Sequence, residues 1–225
     1  MRVLRFRHTG QDVKQLQKAL LDLGHPLEID GVFGVKTLGA VRKFQALNSL
    51  RIDGIAGYQT LKQLKLLKSV DPKYLMIHCS ATPTHSAGSN AQSIIDYHKN
   101  TLNWGRAGYS KIIEVSGKVV EAHPLDLGDG FQPFEITYGA AELNPYSVHI
   151  CYVGGVDDNF KPKDTRTGGQ KKAMEKEVKA IIKECPDILV CGHNDFHSKA
   201  CPSFDVASWA KSVKIAAKNI YKKGK

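Results

Sequence analysis

The amino-terminal part of the chain carries apolar side chains at helical spacing in three short runs. In the first run, Val13, Leu16 and Leu20 recur every three or four residues, as on one face of a helix. The next two runs continue from related segments, IDGVFGVKTL at 29–38 and IDGIAGYQTL at 52–61. Asp-Gly favours a tight turn because glycine readily adopts a positive φ. The pattern predicts three short helices joined by Asp-Gly turns.

From residue 74 the pattern changes to short apolar runs that alternate with longer amphipathic ones. Such alternation is typical of strands and helices packed in one α/β domain. We expect a mixed β-sheet flanked by helices. The expected strands lie at 74–80, 109–115, 118–122, 134–140, 147–155 and 187–193, and the expected helices at 91–104, 168–184 and 205–223.

A turn-forming segment, KSVDPKY, separates the two patterns. It contains Pro72, which cannot continue a helix, together with a serine and an aspartate that favour turns. We therefore expect a three-helix domain at 1–68, a linker at 69–73 and an α/β domain at 74–225.

Charge divides the chain into three parts. The 225 residues are 42% hydrophobic and 24% charged, as in a globular protein, and the net charge is +10. Residues 1–70 have 12 Lys and Arg against 5 Asp and Glu, residues 71–205 have 14 against 17, and residues 206–225 have 6 lysines and no acid. The basic ends favour polyanions such as nucleic acid, anionic lipid or an acidic cell wall, or else form a solvated face that aids solubility.

The basic carboxyl-terminal run has an apolar stripe between its lysines, formed by Val206, Trp209, Val213 and Ile220. Two hypotheses fit this stripe. It packs on the sheet, or it engages an anionic outer-membrane or lipid surface as a cationic amphipathic helix.

Several protein classes are disfavoured by the apolar pattern and the cysteines. No window approaches eighteen consecutive apolar residues, so we expect no membrane span. The start, MRVLRFRHTG, lacks an apolar run after its basic residues, so we expect no secretory signal and synthesis in a cytoplasm. Five scattered cysteines favour reduced thiols, one or more of them binding metal, over a disulfide framework.

Two histidines stand where buried strands are expected to end, which is where α/β folds place their sites. His78 follows YLMI, and His193 follows ILVCG. Together with Cys201 they would supply two imidazoles and a thiolate, and leave the fourth position of a tetrahedral catalytic zinc open. The alternative is a local structural zinc knot made by Cys191, His193, His197 and Cys201.

The amino-terminal repeats also resemble a known domain. V-x-x-L-Q-x-x-L-x-x-L-G, then I-D-G-x-F-G-x-x-T and V-x-x-F-Q, are similar to the peptidoglycan-binding domain at the ends of many cell-wall hydrolases. The resemblance implies that this part binds the wall. The residues around which we expect that binding are Asp30, Gly31, Phe33, Gly34, Asp53, Gly54 and Gly57.

A second resemblance spans most of the larger domain. M-I-H-C-S-A-T at 76–82, G-Y-S-K-I-I at 108–113, Y-V-G-G at 152–155, G-H-N-D at 192–195 and K-A-C-P-S-F-D at 199–205 occur in order. Together they resemble the zinc N-acetylmuramoyl-L-alanine amidases. This is the family of the small bacteriophage amidase lysozymes, which is related to peptidoglycan-recognition proteins.

The second resemblance implies a metal site and two catalytic residues. It implies one catalytic Zn²⁺ on His78, His193 and Cys201, and catalytic roles for Tyr109 and Lys199. The bond cut would be the amide between N-acetylmuramic acid and L-alanine. Zinc would polarise its carbonyl and activate water, while the phenol and the ammonium stabilise the oxyanion. No residue is assigned as the general base.

The sequence thus predicts a modular, monomeric endolysin that is made in the host cytoplasm and reaches the wall in the periplasm after membrane permeabilisation. One alternative is a non-catalytic peptidoglycan-recognition protein, which need not retain the zinc and catalytic residues. Another is a basic nucleic-acid-binding protein with a structural zinc, which the near-neutral middle of the chain disfavours. A glycosidase would need two carboxylates across a cleft.

Overall fold

The chain forms two compact units, Met1–Lys68 and Ser69–Lys225. The computed structural model describes residues 3–66, 72–86, 88–127 and 131–223. Residues 69–71 of the expected linker therefore lie outside the described residues, as does Leu67 of the third apolar run.

The amino-terminal unit contains the three expected helices, here called α1 (Gln11–Asp22), α2 (Val35–Leu47) and α3 (Tyr58–Gln63). The segment before α1 pairs with both repeats, through isolated antiparallel bridges from Leu4 to Ala56 and from Thr9 to Val32. The apolar faces meet in one core, whose fully buried members include Leu4, Val13, Leu16, Leu20, Phe33 and Val41.

A buried glutamine closes each repeat turn. In the first repeat, Gln17 Nε2 donates to Asp30 Oδ1 (2.7 Å) and Thr37 Oγ1 (3.1 Å), and Gly31 N donates to Gln17 Oε1 (2.8 Å). The second repeat has the same three bonds at 3.0, 3.1 and 2.9 Å. We call each set a glutamine clamp; the members of the second are Gln45, Asp53, Thr60 and Gly54. The sequence repeat is therefore the repeat of a hydrogen-bond network that builds the turn.

The larger unit is built on a five-stranded mixed sheet with the order β3-β2-β4-β1-β5. The strands are β1 (Tyr74–Cys79), β2 (Lys111–Ile113), β3 (Val119–Glu121), β4 (Ser147–Tyr152) and β5 (Leu189–Gly192). Strands β2, β4, β1 and β5 run parallel, and β3 pairs antiparallel with β2 as the expected hairpin. The parallel strands end at one edge of the sheet, which brings distant parts of the sequence together.

Helices cover the sheet. They are α4 (Ala91–Asp96), which continues as a π-helical turn (Tyr97–Thr101), α5 (Gly168–Glu184) and α6 (Val206–Ser212). Short 3₁₀ turns occupy Ala141–Tyr146, His193–Asp195 and Ala217–Asn219. Across the ranges that the structure describes, no helix is long and apolar enough to cross a bilayer.

The two faces of the sheet differ in chemistry because side chains alternate along each strand. One face carries the main core, where Ile77 and Ile150 pack with Met174 and Val178 of α5. The opposite face carries polar groups and thiols; its members include Met76, His78, His149, Cys151 and Cys191. The site described below lies at the end of this second face.

Two sequence predictions are wrong. Residues 134–140 form turns and bends rather than a strand, and the Arg106 guanidinium caps this segment by donating to Phe134 O (3.0 Å) and Ile136 O (2.9 Å). The helix expected at 205–223 stops at Ser212, and Lys214 takes a left-handed conformation with φ 62°.

The carboxyl-terminal stripe is used for packing. Val206, Trp209 and Ile220 are buried in the main core, and Ile220 forms a parallel bridge to Val190 of β5. The described chain therefore has no continuous amphipathic helix here to lie on a membrane, because the helix is interrupted and its apolar side chains are covered.

Candidate metal and catalytic site

Three predicted ligands come together at the carboxyl-terminal edge of the sheet. The ligand atoms of His78, His193 and Cys201 all lie within 4.8 Å of one another, and we call this set the His-His-Cys cluster. His78 lies near the end of β1, and His193 directly follows β5, its parallel neighbour. Cys201 arrives on the following loop, which Asn194 N fastens by donating to Cys201 O (2.8 Å).

The thiol of Cys201 faces one ring nitrogen of His78. Its Sγ lies 3.7 Å from His78 Nδ1 and accepts from Cys79 N at 3.3 Å. A backbone N–H aimed at sulfur favours the thiolate. In the cation-free protein, the interaction with the Cys79 side-chain thiol and burial outweigh that backbone bond and raise the pKa of the Cys201 thiol. A coordinating cation would reverse that shift and deprotonate the thiol.

Burial keeps the two imidazoles neutral near pH 7. It is the largest cause that lowers the pKa of His78 well below its usual value, and together with the charge of Lys199 it lowers the pKa of His193 to about 4. Neutral imidazole is the form that binds metal. Two neutral nitrogens and one sulfur within reach of a single point fit a zinc ion with one position left for substrate.

Tyr109 lies against the cluster as an un-ionised phenol. Its ring centroid is 5.0 Å from that of His78, and burial raises the pKa of Tyr109 well above its usual value. The preceding residue is anchored, because Gly108 N donates to His98 Nδ1 at 3.2 Å. The phenol therefore remains a hydrogen-bond donor across the range in which the imidazoles are neutral.

Lys199 lies on the other side of the cluster, in an exposed position. It lines a cavity of about 370 Å³ together with Trp104, Tyr138, His193 and His197. Its amide donates to His197 O (2.8 Å), which fixes the loop on which the ammonium stands. The cavity thus places a flexible cation beside a zinc-ligand candidate.

A second cavity, of about 480 Å³, is lined by Tyr109, whose ring lies against His78 of the cluster. Its other lining groups are mainly hydroxyls and an apolar side chain, including Ser80, Thr82, Ser93, Ile94 and Tyr97. The rings of His98 and Trp104 stack at 4.9 Å and 8°. Since His98 lines one cavity and Trp104 lines the other, this stacked pair separates them.

The local zinc knot is not formed by the described residues. Cys191 is buried, its Sγ approaches Leu75 O at 3.7 Å, and burial raises the pKa of its thiol well above the usual value. His197 packs edge-on against His193 at 4.9 Å and lines the cavity, outside the His-His-Cys cluster. The Asp195 carboxylate accepts a hydrogen bond from Gly192 N (2.7 Å).

Sequence inspection missed three residues at this site: His98, Trp104 and His149. His149 Nδ1 lies 3.0 Å from His78 Nε2. The available signal was a histidine inside the otherwise apolar strand SVHICY, whose buried position demands a polar partner. The stacking of His98 on Trp104 has no comparable signature in the sequence.

The residues expected to bind the wall also build the two repeat turns. Phe33 has no exposed surface, and Asp30 and Asp53 belong to the glutamine clamps. The four glycines shape the turns: Gly31 and Gly54 have φ of 79° and 74°, whereas Gly34 and Gly57 precede α2 and α3. Their role in wall binding stays a prediction.

A groove beside the second clamp offers exposed groups in the same unit. It has a volume of about 460 Å³, and its lining includes Ser49, Leu50, Arg51, Ile55 and Gln59. The Arg51 side chain is 90% exposed.

Comparison with known proteins covers both units. The family model for N-acetylmuramoyl-L-alanine amidase matches residues 68–204, and that for a peptidoglycan binding domain matches residues 9–64. The endolysin of Enterobacteria phage T3 is 32% identical over 136 residues, which are 60% of this chain and 83% of that protein. The endolysin of Escherichia phage T7 is 30% identical over 148 residues, 65% of this chain and 89% of that protein.

Solved structures agree on the fold. An endolysin amidase of Clostridium intestinale superposes with a TM-score of 0.51 at 16% identity, covering 65% of this chain and 86% of its own. Both resemblances inferred from the motifs are therefore confirmed. The chain belongs to the N-acetylmuramoyl-L-alanine amidase family, as a peptidoglycan amidase of the endolysin type with an amino-terminal peptidoglycan-binding domain.

Proposed function

We propose that this protein hydrolyses the amide between the lactyl group of N-acetylmuramic acid and L-alanine, with one zinc ion held by His78, His193 and Cys201. The observation that carries the proposal is the convergence of these three ligand atoms within 4.8 Å at one edge of the sheet, where His193 also lines a cavity. When bound, zinc would supply a Lewis acid for the scissile carbonyl and make water nucleophilic at neutral pH.

The chain's own residues supply the donors for the developing oxyanion. Tyr109 approaches from one cavity as a neutral phenol, and Lys199 approaches from the other as an ammonium. Both can donate to an oxygen above the cluster, and such donors act most strongly when they are held in place before the reaction.

The two cavities suit the two parts of the substrate. The amide joins a sugar to a peptide, so the chain on each side of the scissile bond needs its own groove. We assign the cavity with Trp104 and Tyr138 to the sugar, because aromatic faces pack on pyranose rings. The hydroxyl-lined cavity with Ser80 and Thr82 then takes the peptide stem.

Product analysis tests the reaction. Purified peptidoglycan is digested, and the new ends are assayed. The proposal predicts new L-alanine amino termini, no new reducing sugars and inhibition by a chelator. New reducing ends would make the enzyme a glycosidase. Wall binding without any new ends would instead favour the recognition protein.

We further propose that the amino-terminal unit holds the enzyme on the wall through the groove beside the second clamp. Arg51 can pair with stem-peptide carboxylates, while Leu50 and Ile55 offer apolar surface to a sugar ring. Arg51→Ala should weaken sedimentation with insoluble peptidoglycan several-fold. Lys36→Ala, which removes an exposed cation from the first repeat, is the matched control. Equal binding by both variants would refute the groove.

The site of action follows from the substrate. We propose that the enzyme works on the bacterial cell wall once the membrane has been permeabilised. The alternative hypothesis, a nucleic-acid-binding protein, predicts DNA binding that depends strongly on salt concentration and survives loss of the amidase activity. A filter-binding titration at two salt concentrations distinguishes the two.

A further inference from the structure

A further polar residue, His149, contacts the His-His-Cys cluster on the side of His78 that is turned away from Cys201. It is fully buried on β4, and its Nδ1 lies 3.0 Å from Nε2 of His78. Strand register explains the contact. His149 is aligned with Met76, two residues before His78 on the neighbouring strand, so both histidines project from the same face.

This contact involves the nitrogen of His78 that is turned away from the cluster. The other nitrogen, Nδ1, faces Cys201 Sγ at 3.7 Å. A nitrogen that binds metal carries no proton, so the proton of a ligating His78 must be on Nε2. In that state Nε2–H donates to His149 Nδ1. In the opposite arrangement His149 donates and His78 keeps a proton on Nδ1, where it blocks coordination.

The fold fixes the acceptor in place. His149 O accepts from Ser110 N (2.9 Å), which ties the strand backbone behind the ring. A Cβ added at Gly139 would stand 2.7 Å from His149 Cγ and Nδ1, so the ring occupies the space that this glycine leaves open. Among the described residues, His149 Nε2 has no hydrogen-bond partner. The ring therefore has one polar contact, and that contact is His78.

We propose that His149 is a positioning residue that holds His78 as the tautomer that ligates through Nδ1, and that it thereby strengthens zinc binding. The proposal rests on the proposed zinc function. Partners of this kind orient a ligand imidazole and raise its basicity, and their loss typically weakens metal affinity roughly 10- to 100-fold.

Two variants separate the hydrogen bond from the volume of the side chain. His149→Leu fills the space without an acceptor. His149→Asn can place an amide oxygen near the position of Nδ1 and so restore it. Zinc affinity is measured by competition with a chromophoric chelator, the visible spectrum of the Co²⁺ form reports ligand geometry, and the thermal midpoint of the metal-free protein reports folding. His123→Asn is the control, because His123 is a half-buried histidine that bonds Phe134 O away from the cluster.

The expected result is a zinc affinity about 10- to 100-fold weaker for His149→Leu, with an altered Co²⁺ spectrum and a smaller loss for His149→Asn. The control should match the wild type. Wild-type affinity in a folded His149→Leu protein would overturn the proposal. So would equal losses in both variants that track their thermal midpoints, because a purely structural role predicts that pattern. A wild-type protein that binds zinc but cuts no peptidoglycan would refute the proposed function and leave the His149 comparison intact.

Discussion

The glutamine clamps and the His-His-Cys cluster are both sets of polar groups built around buried side chains, and they differ in what satisfies them. In the first clamp, Gln17 uses its oxygen and its amide nitrogen in hydrogen bonds to the turn that it closes. In the cluster two imidazoles and a thiol face one another, and beside it the described protein leaves His149 Nε2 and His197 Nε2 without a hydrogen-bond partner.

The difference teaches how to separate scaffold from site. A network that gains its hydrogen bonds on folding stabilises the turn that it closes. A converging set of neutral imidazoles and a thiol instead presents ligand atoms that a metal ion can use. Asp30 and Asp53 accept hydrogen bonds within the clamps, whereas His149 Nδ1 faces His78.

Removing the metal should cause the largest loss of activity. It should affect the amidase unit and leave the clamped unit unchanged. A strong chelator should lower peptidoglycan hydrolysis by at least about 10³-fold, because Lewis-acid stabilisation of the transition state amounts to several kcal/mol. Added Zn²⁺ should restore the rate. Sedimentation with peptidoglycan, which we assign to the clamped unit, should not change. Peptidoglycan hydrolysis that persists after complete removal of the metal would contradict the proposed difference between the two regions.

Removing either proposed oxyanion donor, Tyr109 or Lys199, should cause the next largest loss of activity. Tyr109→Phe and Lys199→Met should each lower kcat roughly 10²–10³-fold with bound zinc unchanged, because each removes a donor without removing a ligand. Steady-state kinetics on soluble muropeptides, together with metal analysis, check this. Lys211→Met is the matched control for loss of an exposed lysine in the same unit. A fall in zinc content that parallels the fall in rate would mean that these residues support the metal instead.

Opening one clamp should have a smaller and local effect. Gln17→Ala leaves Gly31 N–H unpaired, and an unsatisfied buried group costs about 1–3 kcal/mol. Hydrogen exchange at Gly31 should accelerate about 10-fold or more, while Gly54 in the other clamp keeps its rate. Gln45→Ala should do the reverse. Gln63→Ala, an exposed glutamine on α3, should change neither, and muropeptide hydrolysis should stay at the wild-type rate.

Acid should weaken the two regions in different pH windows. The pKa of His193 is about 4 and that of His149 about 3, both below the ordinary value, so the unfolded state takes up protons first. The metal-free amidase unit should lose stability as the pH falls below about 6.5, on the order of 1 kcal/mol for His193 by pH 5.5.

The clamps should lose stability only at lower pH than the amidase unit. Hydrogen bonds from backbone amides lower the pKa of Asp30 and of Asp53, so their contribution is present above about pH 4 and is lost as the pH falls through the folded values. Both tryptophans, Trp104 and Trp209, belong to the amidase unit, so their fluorescence during urea unfolding follows that unit alone. Between pH 7 and 5.5 the urea midpoint should fall while exchange protection at Gly31 and Gly54 holds. Parallel changes would contradict the assignment.

Most of the fold and the three clustered residues of the candidate site could be predicted from the sequence. Strand-end histidines and motif order gave His78, His193 and Cys201, since parallel strands end at one edge. The repeat gave the three helices. The wrong predictions concern segments in which tertiary contacts override the local hydrophobic pattern. The stripe over 205–223 has helical spacing, yet Ile220 leaves the helix to pair with Val190. The contact of His149 with His78 depends on strand register, which the sequence did not specify.

The most direct test of the central claim is the zinc content of purified variants, measured per chain. We predict one zinc in the wild type and in Cys191→Ala, and none in His78→Ala, because the ligands come from two neighbouring strands and the following loop. Zinc that stays in His78→Ala and is lost from Cys191→Ala would contradict the account, since it would place the metal in a local knot.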